Sequence, residues 1–166
     1  MKSSWSFFQL RDLMEIDMRF AEGSVLYFNP FVFPDGGTPK PKYFIVLKHV
    51  GEKLLLASLP TSKDNVPSFI TKSHGCIENP DISFNCYYFD PDVVVCDNGF
   101  SFPMETYVYG FLLKEFDVST FLVQETQGDT VIEEKGKLMT KEYIALVQCL
   151  ALSKSVKRGY RTLLQA

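Results

Sequence analysis

GSVLYFNPFVFPDGGTPKPKYFIVLKHVGEKLLLASLPTS, residues 23–62, is the stretch that decides the fold. Gly23 opens an apolar run of Val25, Leu26, Tyr27 and Phe28 that continues into an apolar arm ending at Phe33. Pro34, Asp35, Gly36, Gly37, Pro39 and Pro41 then break the chain into a turn-rich loop. A β-rich run over 43–50 meets a returning run over 53–59 across Gly51-Glu52, which is a hairpin signal, and Pro60 should end the second strand. The stretch therefore reads as antiparallel strands of a small β-barrel.

Working outward, residues 6–20 carry Phe7, Leu10, Leu13, Met14 and Met18 near one helical face, and Gly23 is placed to end that helix or the turn after it. Beyond the hairpin, 64–80 is polar and holds Pro67, Gly75 and Pro80, so a long loop is expected. Further strands are expected over 82–89, 93–96 and 106–113, and a short one over 130–134 bracketed by Gly128-Asp129 and Gly136. The segment 115–125 fits a helix or a strand. Thr140 reads as an N-cap with Glu142 in the first turn of a helix that buries Tyr143, Ile144, Val147, Leu150 and Ala151. Residues 153–161 form a basic tail. The expectation is one α+β domain over 1–166, with a barrel core at about 23–138, an N-terminal helix and a C-terminal helix from about 140.

Composition agrees with a packed domain. Apolar residues make up 46% and charged residues 22% of 166, which disfavours disorder. Fifteen Phe and eight Tyr favour strands and a well-filled interior. The net charge of −3 provides no global basic field, so any nucleic-acid site must be a local patch. No run of 18 apolar residues occurs, so no membrane helix is expected. The first residues meet Arg11 and Asp12 too early for an export signal. A cytoplasmic location with reduced thiols at Cys76, Cys86, Cys96 and Cys149 is the corresponding expectation.

Three segments in order resemble the PemK/MazF-like toxin family of small SH3-like barrels. They are the Gly23-led strand, the run 40–47 with its later Pro60-Thr61-Ser62 turn, and Lys135-Gly136-Lys137-Leu138 before the last helix. The resemblance implies a toxin-like endoribonuclease of a toxin–antitoxin pair that cleaves single-stranded RNA without a metal or other cofactor. It also implies a homodimer silenced by an antitoxin peptide. On that reading Lys42 stabilises the phosphorane, and Thr61 or Ser62 positions the phosphate. Lys42 stands where the family carries Arg, and it offers a point charge in place of a bidentate fork.

The residues themselves leave alternatives open. Lys40, Lys42 and Lys63 could share a face and, with Tyr43, hold RNA by charge and stacking. The same lysines also suit edge strands that must resist aggregation. His74, beside Gly75-Cys76 in a polar loop, could contact RNA or serve as acid or base, or could have no role. No close Cys pair exists, so no metal site is expected. Asp90, Asp92 and Asp97 read as turn residues. The other function class is a catalytically inactive SH3-like binding module for a protein or peptide, presenting Phe28, Phe31, Phe33, Phe100 and Phe102 in its loops.

Overall fold

The computed structural model describes residues 17–60 and 64–166. Within them the architecture is α+β, with eight strands in two antiparallel sheets and three helices. The first three strands are β1 (Ser24–Phe31), β2 (Lys40–Val50) and β3 (Lys53–Leu59). A small unit follows, made of β4 (Gly75–Asn79), β5 (Phe84–Phe89) and β6 (Thr106–Val108). The chain then adds β7 (Leu113–Asp117), α1 (Val118–Thr126), β8 (Val131–Lys137), α2 (Thr140–Ala151) and α3 (Arg158–Gln165).

The larger sheet has the order β7-β3-β2-β1-β8, and the smaller the order β4-β5-β6. The β2–β3 hairpin turns at Gly51, whose φ of +64° is a conformation that glycine adopts without strain. Strands β1 to β3 read as nearly continuous apolar runs because both faces of the larger sheet are covered. One face places Val25, Ile45, Leu47, Leu55 and Ala57 against Tyr87 and Phe89 of β5 and Leu146 and Leu150 of α2. The other places Leu26, Phe28, Phe44, Val46, Leu54 and Leu56 against Phe20 and against Val118 and Phe121 of α1. Burying such side chains is worth about 1.5–3 kcal/mol each, so both faces of the sheet contribute to a core.

Several expectations change. The strands do not form one set. Strands β4 to β6 pair among themselves, and among the described residues the five-stranded sheet is open, with β7 and β8 each holding one partner. Strand β4 lies inside the expected loop and buries one side chain, Ile77, too few to leave a periodic signal. The expected strand over 93–96 reduces to a single bridge, Cys96 to Leu138, because the Val95 and Cys96 amides both donate to the Phe100 carbonyl in a turn. The run over 106–113 breaks at Gly110, where a Cβ would lie 2.5 Å from Val156, and the chain there crosses from the small sheet to the large one. Residues 115–125 are strand first and helix second. Gly136 lies within β8 and does not end it, since a Cβ there would meet Asn98 Oδ1 at 2.6 Å and Cys96 Cβ at 2.8 Å. Met139, not Thr140, caps α2. The basic tail runs into α3, which buries Leu164.

The thiols also differ from expectation. Cys76 on β4 and Cys149 on α2 form a disulfide, their Cα atoms 5.6 Å apart and 73 residues distant in sequence. Folding brings together two cysteines whose linear spacing suggests nothing. Cys86 and Cys96 are free and buried, and burial pushes both thiols up to about 12. Most of the expected N-terminal helix lies outside the described residues, of which Met18–Phe20 form a single 3-10 turn. No helix among the described residues is long and apolar enough to cross a membrane.

Candidate functional site: a lysine-rimmed aromatic pocket

Strand alternation and register decide which side chains meet. Lys42 pairs with Phe28, Phe44 with Ser58, Leu56 with Lys114, and Leu54 with Phe116. Paired residues point to the same side of a sheet, so Lys42, Phe44, Ser58, Lys114 and Phe116 share one face. The arm after β1 folds over them and brings Phe31, Phe33 and Asp35. Together these elements enclose a pocket of about 310 Å³.

Its floor is aromatic. Phe31 lies 4.7 Å from Phe44 and 5.8 Å from Phe116, and Phe33 stands edge-on to Phe31 at 5.0 Å. These are favourable ring geometries. The rim is cationic. The ammonium of Lys42 lies 5.6 Å from the centre of the Phe33 ring, and that of Lys40 lies 5.8 Å from it. Lys42 is half-buried, and burial lowers its pKa below the usual 10.5, with further lowering from Lys40 and Lys114. Among the described residues none of these three lysines has a carboxylate within ion-pair distance. An anion here would relieve the repulsion among them.

The structure brings together Lys40 and Lys42 of the expected site residues and adds Lys114. Tyr43 points to the opposite face, against Tyr27 at 4.7 Å and Phe102 at 5.6 Å. Thr61, Ser62 and Lys63 lie outside the described residues; Leu59, just before Pro60, pairs with Tyr43 beside the start of β2. Lys72 pairs with Asp64 and Glu105 and takes no part in this cluster.

His74 belongs to the other region. Its ring stands edge-on to Tyr87 at 6.2 Å and Phe89 at 5.9 Å. Nδ1 accepts the Asp90 amide N–H at 3.1 Å, so Nε2 carries the proton donated to the buried carboxylate of Glu142. Both ring nitrogens are committed, which leaves neither free to take a proton from a substrate. Of the aromatics expected in loops, Phe28, Phe31 and Phe102 are core residues, and Phe33 and Phe100 are half-buried.

Lys114, Phe116 and Glu142 escaped notice in the sequence. Lys114 and Phe116 alternate around Glu115 in a segment that fitted helix or strand. Glu142 looked like an ordinary first-turn acid, and nothing local marks its burial. No three His, Cys, Asp or Glu side chains among the described residues gather closely enough to hold a metal ion. No family model, curated protein or solved structure matches the chain.

Proposed function

We propose that the lysine-rimmed pocket holds single-stranded RNA and that the chain acts as a toxin-like endoribonuclease of an SH3-like fold. The observation that carries the reading is Lys42, a half-buried cation with two lysine neighbours, no carboxylate within ion-pair distance among the described residues, and the Phe33 ring 5.6 Å away. Charge draws the phosphate, and the half-buried Phe33 and Phe116 rings provide a stacking surface for an unpaired base. The strand order supports the SH3-like reading. Three meandering strands are flanked by the last one, and α1 links the two edge strands.

In cleavage of this class the RNA 2′-oxygen bonds to phosphorus and the 5′-oxygen leaves. A cyclic phosphate and a free 5′-hydroxyl result. Lys42 would carry the charge of the phosphorane, and Thr61 or Ser62 would hold its oxygens. His74 has no free nitrogen for the proton transfers. A dimer and an antitoxin peptide belong to the same reading.

One observation favours a second reading. Among the described residues strand β7 has a neighbour on one side only, and it contributes Lys114 and Phe116 to the pocket lining. An acidic peptide could add a strand there and anchor an aromatic residue, as in a catalytically inactive binding module.

The test incubates purified wild type and Lys42→Ala with end-labelled single-stranded RNA in EDTA. Shortened RNA with wild type alone is the expected result. RNA that stays intact but binds in a Lys42-dependent way removes the cleavage step and keeps the RNA site. Absence of both, with binding of an acidic aromatic peptide, moves the site to peptides.

A further inference from the structure

The pocket contains one group that the charge argument leaves unused. Among the described residues Asp35 is the only carboxylate lining it, beside Lys42 and Lys114 in the same lining. One oxygen, Oδ1, accepts the Gly37 N–H at 3.0 Å, which fixes the side chain in its turn. Among the described residues no ion pair joins Asp35 to Lys40, Lys42 or Lys114, and its second oxygen has no hydrogen-bond donor, which leaves it as an unshared acceptor. The ligand best suited to this pocket has three features. It is anionic for the lysines, flat and aromatic for the phenylalanines, and a hydrogen-bond donor where it meets Asp35.

We infer that the pocket selects a guanine base, with Asp35 reading its donor edge and the lysines holding the adjoining phosphate. An ionised carboxylate only accepts hydrogen bonds. Guanine alone among the RNA bases presents two neighbouring donors, the ring N1–H and the exocyclic amino group. Adenine and cytosine place a ring acceptor beside their amino group, and uracil flanks its single N–H with two carbonyl oxygens. Each of those turns lone pairs toward Asp35. The pocket volume of about 310 Å³ suits one ring system and not a run of stacked bases. The inference takes from the RNA reading only its ligand class and adds the identity of the base.

The test titrates the whole protein with guanosine 5′-monophosphate, adenosine 5′-monophosphate and inorganic phosphate, followed by calorimetry. Asp35→Asn keeps an oxygen for the Gly37 N–H but places an amide donor at the second position. Because Asp35 is exposed, the substitution should leave folding intact, which circular dichroism checks. Wild type should favour the guanine nucleotide over the adenine one by about tenfold, the scale of a hydrogen bond to a charged group. Asp35→Asn should erase that preference and leave Lys42-dependent binding of both. Equal affinities in wild type would overturn the inference, as would a preference that survives in Asp35→Asn. Phosphate binding as tightly as the nucleotides would also overturn it, since the pocket would then read charge alone. A guanine-free RNA bound as well as a guanine-containing one sinks the base assignment and spares the RNA site. A guanine nucleotide bound through Asp35, with no RNA bound at all, does the reverse.

Discussion

The two ends of the larger sheet treat positive charge in opposite ways. At the β8 end, Arg19 donates to Asp17 and Glu125, each at 2.7 Å, and Lys137 pairs with Glu134 at 2.8 Å. At the β7 end, Lys40 and Lys42 lie over Phe33 and Lys114 lines the same pocket, none with a carboxylate in ion-pair distance among the described residues. The first arrangement is what a fold does with cations when only stability matters. The second weakens the free protein and is relieved by a ligand, so it marks the end of the sheet where function should be sought. A similar contrast separates Lys42 from His74, whose ring nitrogens are both occupied by partners within the protein.

The largest effect that could break this comparison concerns the floor beneath the lysines. Phe44 is buried and contacts Phe28, Phe31 and Phe116. Phe44→Ala should cost about 3–5 kcal/mol in urea unfolding, the usual cost of deleting a core aromatic. A loss below about 1 kcal/mol would mean that the aromatic floor is loosely packed and the pocket poorly defined.

A smaller effect tests whether the two sheets are independent as far as the site is concerned. The Cys76–Cys149 disulfide ties the small sheet to α2, away from Lys42. Cys76→Ser with Cys149→Ser should lower stability by about 2–4 kcal/mol, because a long loop in the unfolded chain is released. RNA binding through Lys42, measured well below the melting temperature, should not change. If binding falls with the disulfide, the small sheet helps to shape the pocket and the separation drawn here fails.

Legibility divides along the same boundary. Strands β1 to β3 could be read because Val25 to Phe28, Phe44 to Leu47 and Leu54 to Leu59 are dense apolar runs with breakers between them. The small sheet could be read only in part: β5 falls within the expected strand over 82–89 and β6 opens the one over 106–113, whereas β4 lies in the expected loop. Strand β4 buries only Ile77, and β6 is three residues long. Its anchoring contacts, Cys76 to Cys149 and His74 to Glu142, join residues about seventy apart, a distance at which no periodicity operates. Half of the candidate site was visible for a related reason. Lys40 and Lys42 sit on a strand that announces itself, whereas Lys114 arrives through a register that only the folded sheet defines.

The smallest effect is the most diagnostic of the unpaired lysines. Burial, with the charges of Lys40 and Lys114, holds the Lys42 pKa below the unfolded value of 10.5. As pH rises, the folded chain therefore releases this proton before the unfolded chain does. Between the two values the unfolded state binds more protons, so Lys42 contributes stability that increases with pH there. Anion binding has the opposite sign, since it needs the charge that is being lost. RNA affinity should thus fall as pH approaches 10.5 from below, while the stability contribution grows. Lys42→Met removes both trends, and it should raise stability near neutral pH by about 0.5 kcal/mol once solvent screening of a half-exposed charge is allowed for. Lys42→Arg keeps its charge throughout, so its RNA affinity should show no Lys42-dependent decline over the same range. If wild type and Lys42→Arg lose affinity in parallel, the titrating group is not Lys42, and the contrast between the two ends of the sheet loses its functional meaning.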